Sequence, residues 1–313
     1  MAFLSWRGAW GRWRWPDPAG PGARVGLFAP AHRFDREELD RGAAVLRSWG
    51  FEPVIPKKLQ PGRRYLAGTD RQRLDIITRL MEDDSIKALL AVRGGFGCQR
   101  LLPDLAERWP HWPAKPVFGF SDLTAFHLAR LAVDGVLGFH SPMLVSLSKN
   151  LAAVRADTRS QKDLKEALLH GGREGRWDFS EKDVWRPGRA EGPILGGNLT
   201  LLTALLASPW LPDFQGAILM LEEVDEPPYR LDRLLTILRQ SPIWAKASAL
   251  VFGRFARCGP PAEVRRLIKE AAGDFPGRPV LINAPFSHLS RNRLFPLGAA
   301  GVLAARATPH PLR

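Results

Sequence analysis

Three residue types able to run a hydrolytic proton relay stand in this chain at what read as strand ends: Ser121 in KPVFGFSDLTAFHL, an acid from Glu222 or Glu223 in LMLEEVDEPP, and His288 in NAPFSHLSRN. The chemistry asks for a hydroxyl to attack an acyl carbon, an imidazole to carry its proton to the leaving amine, and a carboxylate to hold the imidazole's tautomer. Ser121 is the centre of the reading. An apolar run ending in Gly-Phe-Ser-Asp, followed at once by a helix-forming segment, predicts a buried strand, a tight turn and a helix N-terminus. Such a turn holds a hydroxyl clear of the backbone, and the free amides of the helix's first turn can receive a developing oxyanion. The plainer alternative is that Ser121 or Asp122 only caps the helix. Chain order does not constrain a triad, and spacing alone does not show that Ser121 and His288 meet.

The elements that must position these side chains begin at Arg24. RVGLFAPA, FEPVIP, IKALLAVRGGFG and KPVFGF read as strands, with helices between them over Arg36 to Trp49 and from a cap at Asp70. Alternating strands and helices predict a doubly wound parallel sheet over 24–150, with ligands at the carboxyl ends of its strands. Gly94, Gly95 and Ser121 then share one rim. A second unit over 191–313 has GGNLTLL near a helix start, an apolar strand ending in acids, and several short strands and turns. The predicted class is therefore α/β: an N-terminal doubly wound domain carrying the nucleophile turn, and a C-terminal mixed α/β domain rich in short strands. Residues 1–23 interleave Trp6, Trp10, Trp13 and Trp15 with Arg7, Arg12 and Arg14 before turning Pro/Gly-rich, and read as a disordered extension without the apolar core of a signal peptide. Residues 151–190 are polar and poorly periodic, and read as a linker.

A formal charge of +13 points to anionic partners. The arginines are scattered and form no nucleic-acid-binding motif, so a poly-carboxylate or nucleotide-like small substrate is expected and nucleic acid is not. No apolar run approaches a membrane span, so no stable insertion is expected. Cys98 and Cys258 have no metal-ligand spacing around them; packed thiols in a reducing, cytoplasmic setting are the simplest account, with no metal and no cofactor.

The succession RVGLFAPA, YLAGTD, VRGGFGCQRLLPDL, KPVFGFSDLT, FHSPML, GGNLTLL, LMLEEVDEPPYRLDR, VFGRF and FSHLSRNRLFPLG resembles the LD-carboxypeptidase family of serine peptidases, which includes muramoyl-tetrapeptide carboxypeptidases and microcin C immunity peptidases. The resemblance covers about Arg24 to Leu303. It implies a two-domain, metal-free enzyme, usually a homodimer, with Ser121 as nucleophile, Glu222 as acid and His288 as base, and with the amides of Asp122 and of Gly94 or Gly95 as the oxyanion hole. The implied reaction releases terminal D-alanine from an anionic murein tetrapeptide during peptidoglycan recycling. The alternatives are a microcin-immunity-like peptidase cutting aminoacyl-nucleotide conjugates, and a non-catalytic binding protein. Arg93, His140, Tyr229 and Arg230, with Arg233, are candidates for the substrate pocket, the tyrosine and its two arginines equally for a subunit contact. His127 reads as packing, and Asn198 and Asn292 as loop-fixing side chains. The chain departs from the family at Ser287 and Ser141, where glycines are usual, and at Glu223, where aspartate is.

Overall fold

Two sheets carry the fold, and each takes a strand from the far end of the chain. The computed structural model describes residues 2–59, 62, 64–147, 155–275 and 277–306. In chain order the elements are β1 (Ala2–Ala9), β2 (Arg24–Phe28), α1 (Arg36–Ser48), β3 (Glu52–Val54), α2 (Asp70–Glu82), β4 (Ile86–Ala91), α3 (Leu102–Arg108), β5 (Val117–Phe118), α4 (Leu123–Val133) and β6 (Gly138–His140). There follow α5 (Thr158–His170), β7 (Glu174–Phe179), β8 (Val184–Arg186), β9 (Gly188–Asn198), α6 (Leu199–Ala204), β10 (Ile218–Val224), α7 (Pro228–Arg239) and α8 (Pro242–Lys246). The chain closes with β11 (Ala249–Ala256), α9 (Pro261–Gly273), β12 (Val280–Leu281), β13 (Phe295–Leu297) and β14 (Ala299–Ala305).

The first sheet has the order β13-β6-β5-β4-β2-β3, parallel throughout except for β13, which runs antiparallel to β6. The second has the order β7-β1-β14-β9-β10-β11-β12-β8, with a parallel centre from β9 to β12 and antiparallel flanks. The parallel strands are near-continuous apolar runs, such as IKALLA in β4 and ILML opening β10, because helices cover both of their faces. Crossing of β13 into the first sheet and of β1 into the second laces the two units together.

The opening segment is a strand of the second sheet, which corrects the expectation of a disordered extension for 1–23. β1 pairs with β14 on one side and β7 on the other. Ala2, Leu4 and Trp6 point inward while Phe3, Ser5 and Arg7 alternate outward, and Arg176 lies over the Phe3 ring at 3.9 Å. Trp6 meets Trp177 edge-on at 5.6 Å, and Trp15 donates its indole N–H to the Gly171 carbonyl at 2.7 Å. The period-two pattern is only three inward residues long, and it is hidden by the arginines beyond it.

The segment read as a linker also folds. Asp157 caps α5 by accepting from the Ser160 amide at 2.7 Å, and Gly171 closes that helix in the left-handed conformation. β7 forms one edge of the second sheet and β8 the other. Their inward faces are short, chiefly Trp177 and Phe179 in β7, too brief to show as periodicity. At α2 the cap is Thr69 rather than Asp70, in a reciprocal box with Gln72. Met1 of the expected extension, 148–154 at the expected domain–linker junction, and 307–313 of the second unit lie outside the described residues.

Trp6 is 6% exposed, and cutting it to alanine empties a site walled by Trp177 and Gly175. Trp6→Ala should cost about 3 kcal/mol of stability, read as a lower urea midpoint; an unchanged midpoint would show that β1 adds nothing to the fold.

Candidate active site

Ser121 sits where β5 turns into α4, at φ 63°, a left-handed conformation unusual for a side-chain-bearing residue. The turn is tight because Gly119 lets the chain pass against Leu123: a Cβ there would lie 2.8 Å from the Leu123 Cγ. Asp122 occupies the N-cap position yet makes no side-chain capping bond; its Oδ2 instead accepts the Cys98 amide at 2.7 Å. The glycine turn after β4 is pressed against Ser121. A Cβ on Gly94 would come within 2.9 Å of the Ser121 Cβ and 3.1 Å of its Oγ, so only glycine fits there. The Gly94 carbonyl accepts the His32 amide at 3.1 Å, which turns the other end of that planar peptide, the Gly95 N–H, the opposite way.

On β10 a register irregularity against β11 falls between Leu221 and Glu223. Both adjacent glutamates are buried, like the rest of this central strand, and each has a different partner. Glu222 Oε2 accepts from His288 Nδ1 at 2.7 Å. Glu223 turns instead to α6, where its Oε2 accepts from the Thr200 amide and hydroxyl, both at 2.8 Å. Asn198 Nδ2 bridges the two acids, at 3.3 Å to Glu222 and 2.8 Å to Glu223. Of the two acids left open by sequence, Glu222 is the one that touches the histidine.

Burial pushes the Glu222 carboxyl up, but His288, then His140 and the Asn198 amide, more than offset it and hold it below the ordinary range. Glu223 goes the other way, raised by burial and by the neighbouring Glu222 charge despite its hydrogen bonds. Because the Glu222 carboxylate can only accept, His288 Nδ1 carries a proton, and the tautomer of the neutral ring is the one with the lone pair on Nε2. That Nε2 is buried with no hydrogen-bond partner among the described residues. Its ring rests on Phe120 at 4.6 Å, and Ser121 and His288 line the same cleft of about 670 Å³ with Arg93, Gly94 and Gly95.

Family models described as the LD-carboxypeptidase N-terminal and C-terminal domains match residues 25–141 and 191–303. The murein tetrapeptide carboxypeptidase of Pseudomonas aeruginosa is 32% identical over 291 residues, covering 90% of this chain and 92% of that one. The probable murein peptide carboxypeptidase of Bacillus subtilis is 32% identical over 293 residues, covering 92% and 91%. The chain belongs to the LD-carboxypeptidase family. The structure of MccF in complex with glutamyl sulfamoyl guanosine superposes with a TM-score of 0.79 at 21% identity, over 93% of this chain and 98% of that one, a likeness of fold. This LD-carboxypeptidase is thus a serine-type hydrolase, and two positions where it departs from the family pattern can be read in place. Ser287 is not among the residues of positive φ, so serine there carries no left-handed strain; its hydroxyl donates to the Arg291 carbonyl at 3.1 Å and accepts the Leu289 amide at 2.9 Å. Ser141 is buried and donates to the Pro142 carbonyl at 3.1 Å.

Other expected residues are scattered. Arg93 lines the cleft beside Gly94. His140 lies behind the wall, stacked on Phe295 at 4.4 Å, with burial lowering its pKa to about 4, so it is neutral at ordinary pH. Asn292 Oδ1 accepts the Ser287 amide, which fixes the orientation of its side-chain amide and makes His140 Nε2, 3.1 Å from the same oxygen, a donor. Tyr229 is 64% exposed on α7, Arg230 pairs with Glu226 at 2.8 Å and Arg233 stacks over Tyr229 at 5.7 Å; Tyr229, Arg230 and Arg233 all lie outside the cleft lining. His127 is buried against the Gly119 carbonyl at 3.0 Å, with burial lowering its pKa to about 3. Cys98 and Cys258 are free and buried; burial raises both thiols, Cys258 to about 11.

Sequence reasoning missed His32, Asp225 and Arg257, which also line the cleft. Asp225 and Arg257 follow the parallel neighbours β10 and β11 directly, at φ 59° and 55°, and form a two-pronged ion pair at 2.6 and 2.8 Å. Position at a strand's carboxyl end was the available signal. Among the described residues no cluster of His, Cys, Asp or Glu is arranged to hold a metal ion.

Two outcomes follow from this geometry. Glu222→Gln replaces one carboxylate oxygen with an amide NH2, and with Asn198 donating to the remaining oxygen that NH2 faces His288 Nδ1 and favours the wrong tautomer, so kcat should fall by about 10⁴ with the circular dichroism spectrum unchanged; a loss below tenfold would show that Glu222 is dispensable. Burial raises Asp122 to about 6 despite the Cys98 amide it accepts. An acid that binds its proton more tightly folded than unfolded stabilises the fold at low pH and loses that contribution as pH rises through the folded value. Between pH 4 and pH 7 the wild type should therefore lose roughly 2–3 kcal/mol relative to Asp122→Asn in paired urea titrations, and a pH-independent difference would rule that shift out.

Proposed function

We propose that the protein is a murein-peptide LD-carboxypeptidase that releases terminal D-alanine through an acyl-enzyme. The observation that carries this reading is the 2.7 Å bond from His288 Nδ1 to Glu222, which leaves an unpartnered Nε2 on the cleft that also holds Ser121. In the first half-reaction His288 Nε2 takes the Ser121 proton as Oγ attacks the carbonyl carbon of the third residue; the imidazolium then gives that proton to the departing D-alanine nitrogen. In the second half His288 Nε2 deprotonates a water that attacks the ester, and the imidazolium returns the proton to Ser121 Oγ as the acyl–oxygen bond breaks. The tetrahedral oxyanion faces the Asp122 amide and one amide of the Gly94–Gly95 turn; removing one such donor typically costs about 10²–10³ in rate.

Substrate recognition in this reading is electrostatic. Arg93 makes no ion pair within 4 Å among the described residues, although its charge also acts on the buried Glu38; it lies on the cleft beside the oxyanion turn and suits the terminal carboxylate that marks an exopeptidase substrate. The names of the Pseudomonas and Bacillus relatives support a murein peptide as the substrate class. The two buried, unpaired cysteines suit a reducing cytoplasm.

Mass spectrometry of the protein incubated with L-Ala-γ-D-Glu-meso-diaminopimelate-D-Ala is the test. Wild type should release a single alanine, and Ser121→Ala should release none while keeping its fold. Activity retained by Ser121→Ala refutes the nucleophile. Release from an aminoacyl-nucleotide conjugate, with the tetrapeptide untouched, replaces the murein reading by the microcin-immunity one.

A further inference from the structure

The catalytic cleft continues beyond His288. Arg257 and Leu289 line both the cleft and a second groove of about 410 Å³ that lies along the outer end of β11 and the face of α9. Phe255 and Trp185 give this groove aromatic surface, and Arg254 and Arg265 stand on it, both exposed to solvent. Arg257 is neutralised by Asp225, but neither Arg254 nor Arg265 has an ion-pair partner among the described residues. Lys269 adds a further positive charge 6.0 Å above the Trp185 ring. Leu289, the residue after the proposed base, is 38% exposed, an apolar side chain left in water where the two spaces join.

The geometry points to this groove as a subsite for the acyl portion of an anionic peptide, whose free carboxylate is held by Arg254 and Arg265 while its apolar parts cover Leu289 and Phe255. The inference rests on the carboxypeptidase reading above. A carboxypeptidase expels one residue, and a space of about 410 Å³ is the size of a complete small-ligand site. The leaving alanine does not need it; the chain upstream of the scissile amide does. Unpaired guanidiniums that share a groove with aromatic side chains select a carboxylate attached to a carbon skeleton rather than a bare inorganic anion. Continuity through Arg257 and Leu289 sets the direction, from the acyl carbon at Ser121 outward past His288.

The test is calorimetric titration of the tripeptide L-Ala-γ-D-Glu-meso-diaminopimelate, and of the same peptide with the glutamyl α-carboxylate amidated, into wild type and into an Arg254→Ser/Arg265→Ser variant. Both arginines are exposed and outside the triad, so the fold is kept. The tripeptide's Kd should rise about tenfold or more in the variant. The amidated peptide should bind wild type and variant equally weakly. An unchanged Kd in the variant, an equal loss for both peptides, or no binding by wild type overturns the subsite. Failure of the carboxypeptidase reading shows separately, as tripeptide binding that depends on the two arginines with no alanine released from the tetrapeptide.

Discussion

The 2.7 Å bond between Glu222 and His288 is the constraint on which the rest of the site depends. It joins a strand in the middle of the second sheet to the loop that leads into the first. A fully buried carboxylate is costly unless it is paired and hydrogen-bonded. Here the cost is met from two sides, by the imidazole and by the Asn198 amide at the start of α6. The same amide also serves Glu223, so two neighbouring buried acids with pKa values moved in opposite directions share one donor. Their roles separate by environment: one meets an imidazole, the other the amide and hydroxyl of Thr200. Sequence adjacency alone does not distinguish them.

Lacing of the two sheets is what brings the halves of the site together. His288 lies between β12, in the second sheet, and β13, which crosses to pair with β6 in the first. β6 in turn is the parallel neighbour of β5, the strand that ends in the Ser121 turn. His288 is therefore held between the sheet that carries Glu222 and the sheet that carries Ser121. Asn292 braces this loop by accepting from both Ser287 and His140, and Asp163 grips the next residue, Arg293, with two bonds at 2.7 and 3.1 Å. The segment expected to be a linker thus supplies a clamp on the loop that presents the histidine.

What the sequence made legible follows the strength of each local pattern. The central parallel strands β2, β4, β10 and β11 are apolar runs and the helices between the strands are amphipathic with caps and glycines, and they stand where the patterning puts them. The glycines at 94 and 95 and the Gly-Phe-Ser-Asp turn were readable because each demands a backbone few other residues tolerate. β1, β7 and β8 were not readable: they sit at or near sheet edges and are half-exposed, β1 burying three side chains, β7 two and β8 none fully. The contact between Ser121's cleft and His288 was invisible for a different reason, since it depends on β13 changing sheets, a long-range pairing with no local signature. Asp225 and Arg257 escaped notice because a charged pair after two strands reads as ordinary surface until parallel pairing of β10 and β11 sets the two side by side.

Three side-chain-bearing residues around the cleft, Ser121, Asp225 and Arg257, adopt left-handed backbone conformations at the ends of β5, β10 and β11. Each such conformation costs on the order of 1 kcal/mol or more, against a net stability of about 5–15 kcal/mol for a typical domain. Glycine would remove the strain at any of them, but it would also remove the hydroxyl or one arm of the ion pair. At Ser121 the strained turn presses the hydroxyl-bearing side chain against Gly94 on the wall of the cleft; at the other two positions a two-pronged ion pair offsets part of the cost and fixes a guanidinium where the cleft meets the groove along α9. Strain concentrated on one rim, with the strands behind it fully paired, is the arrangement expected where backbone geometry serves chemistry more than stability.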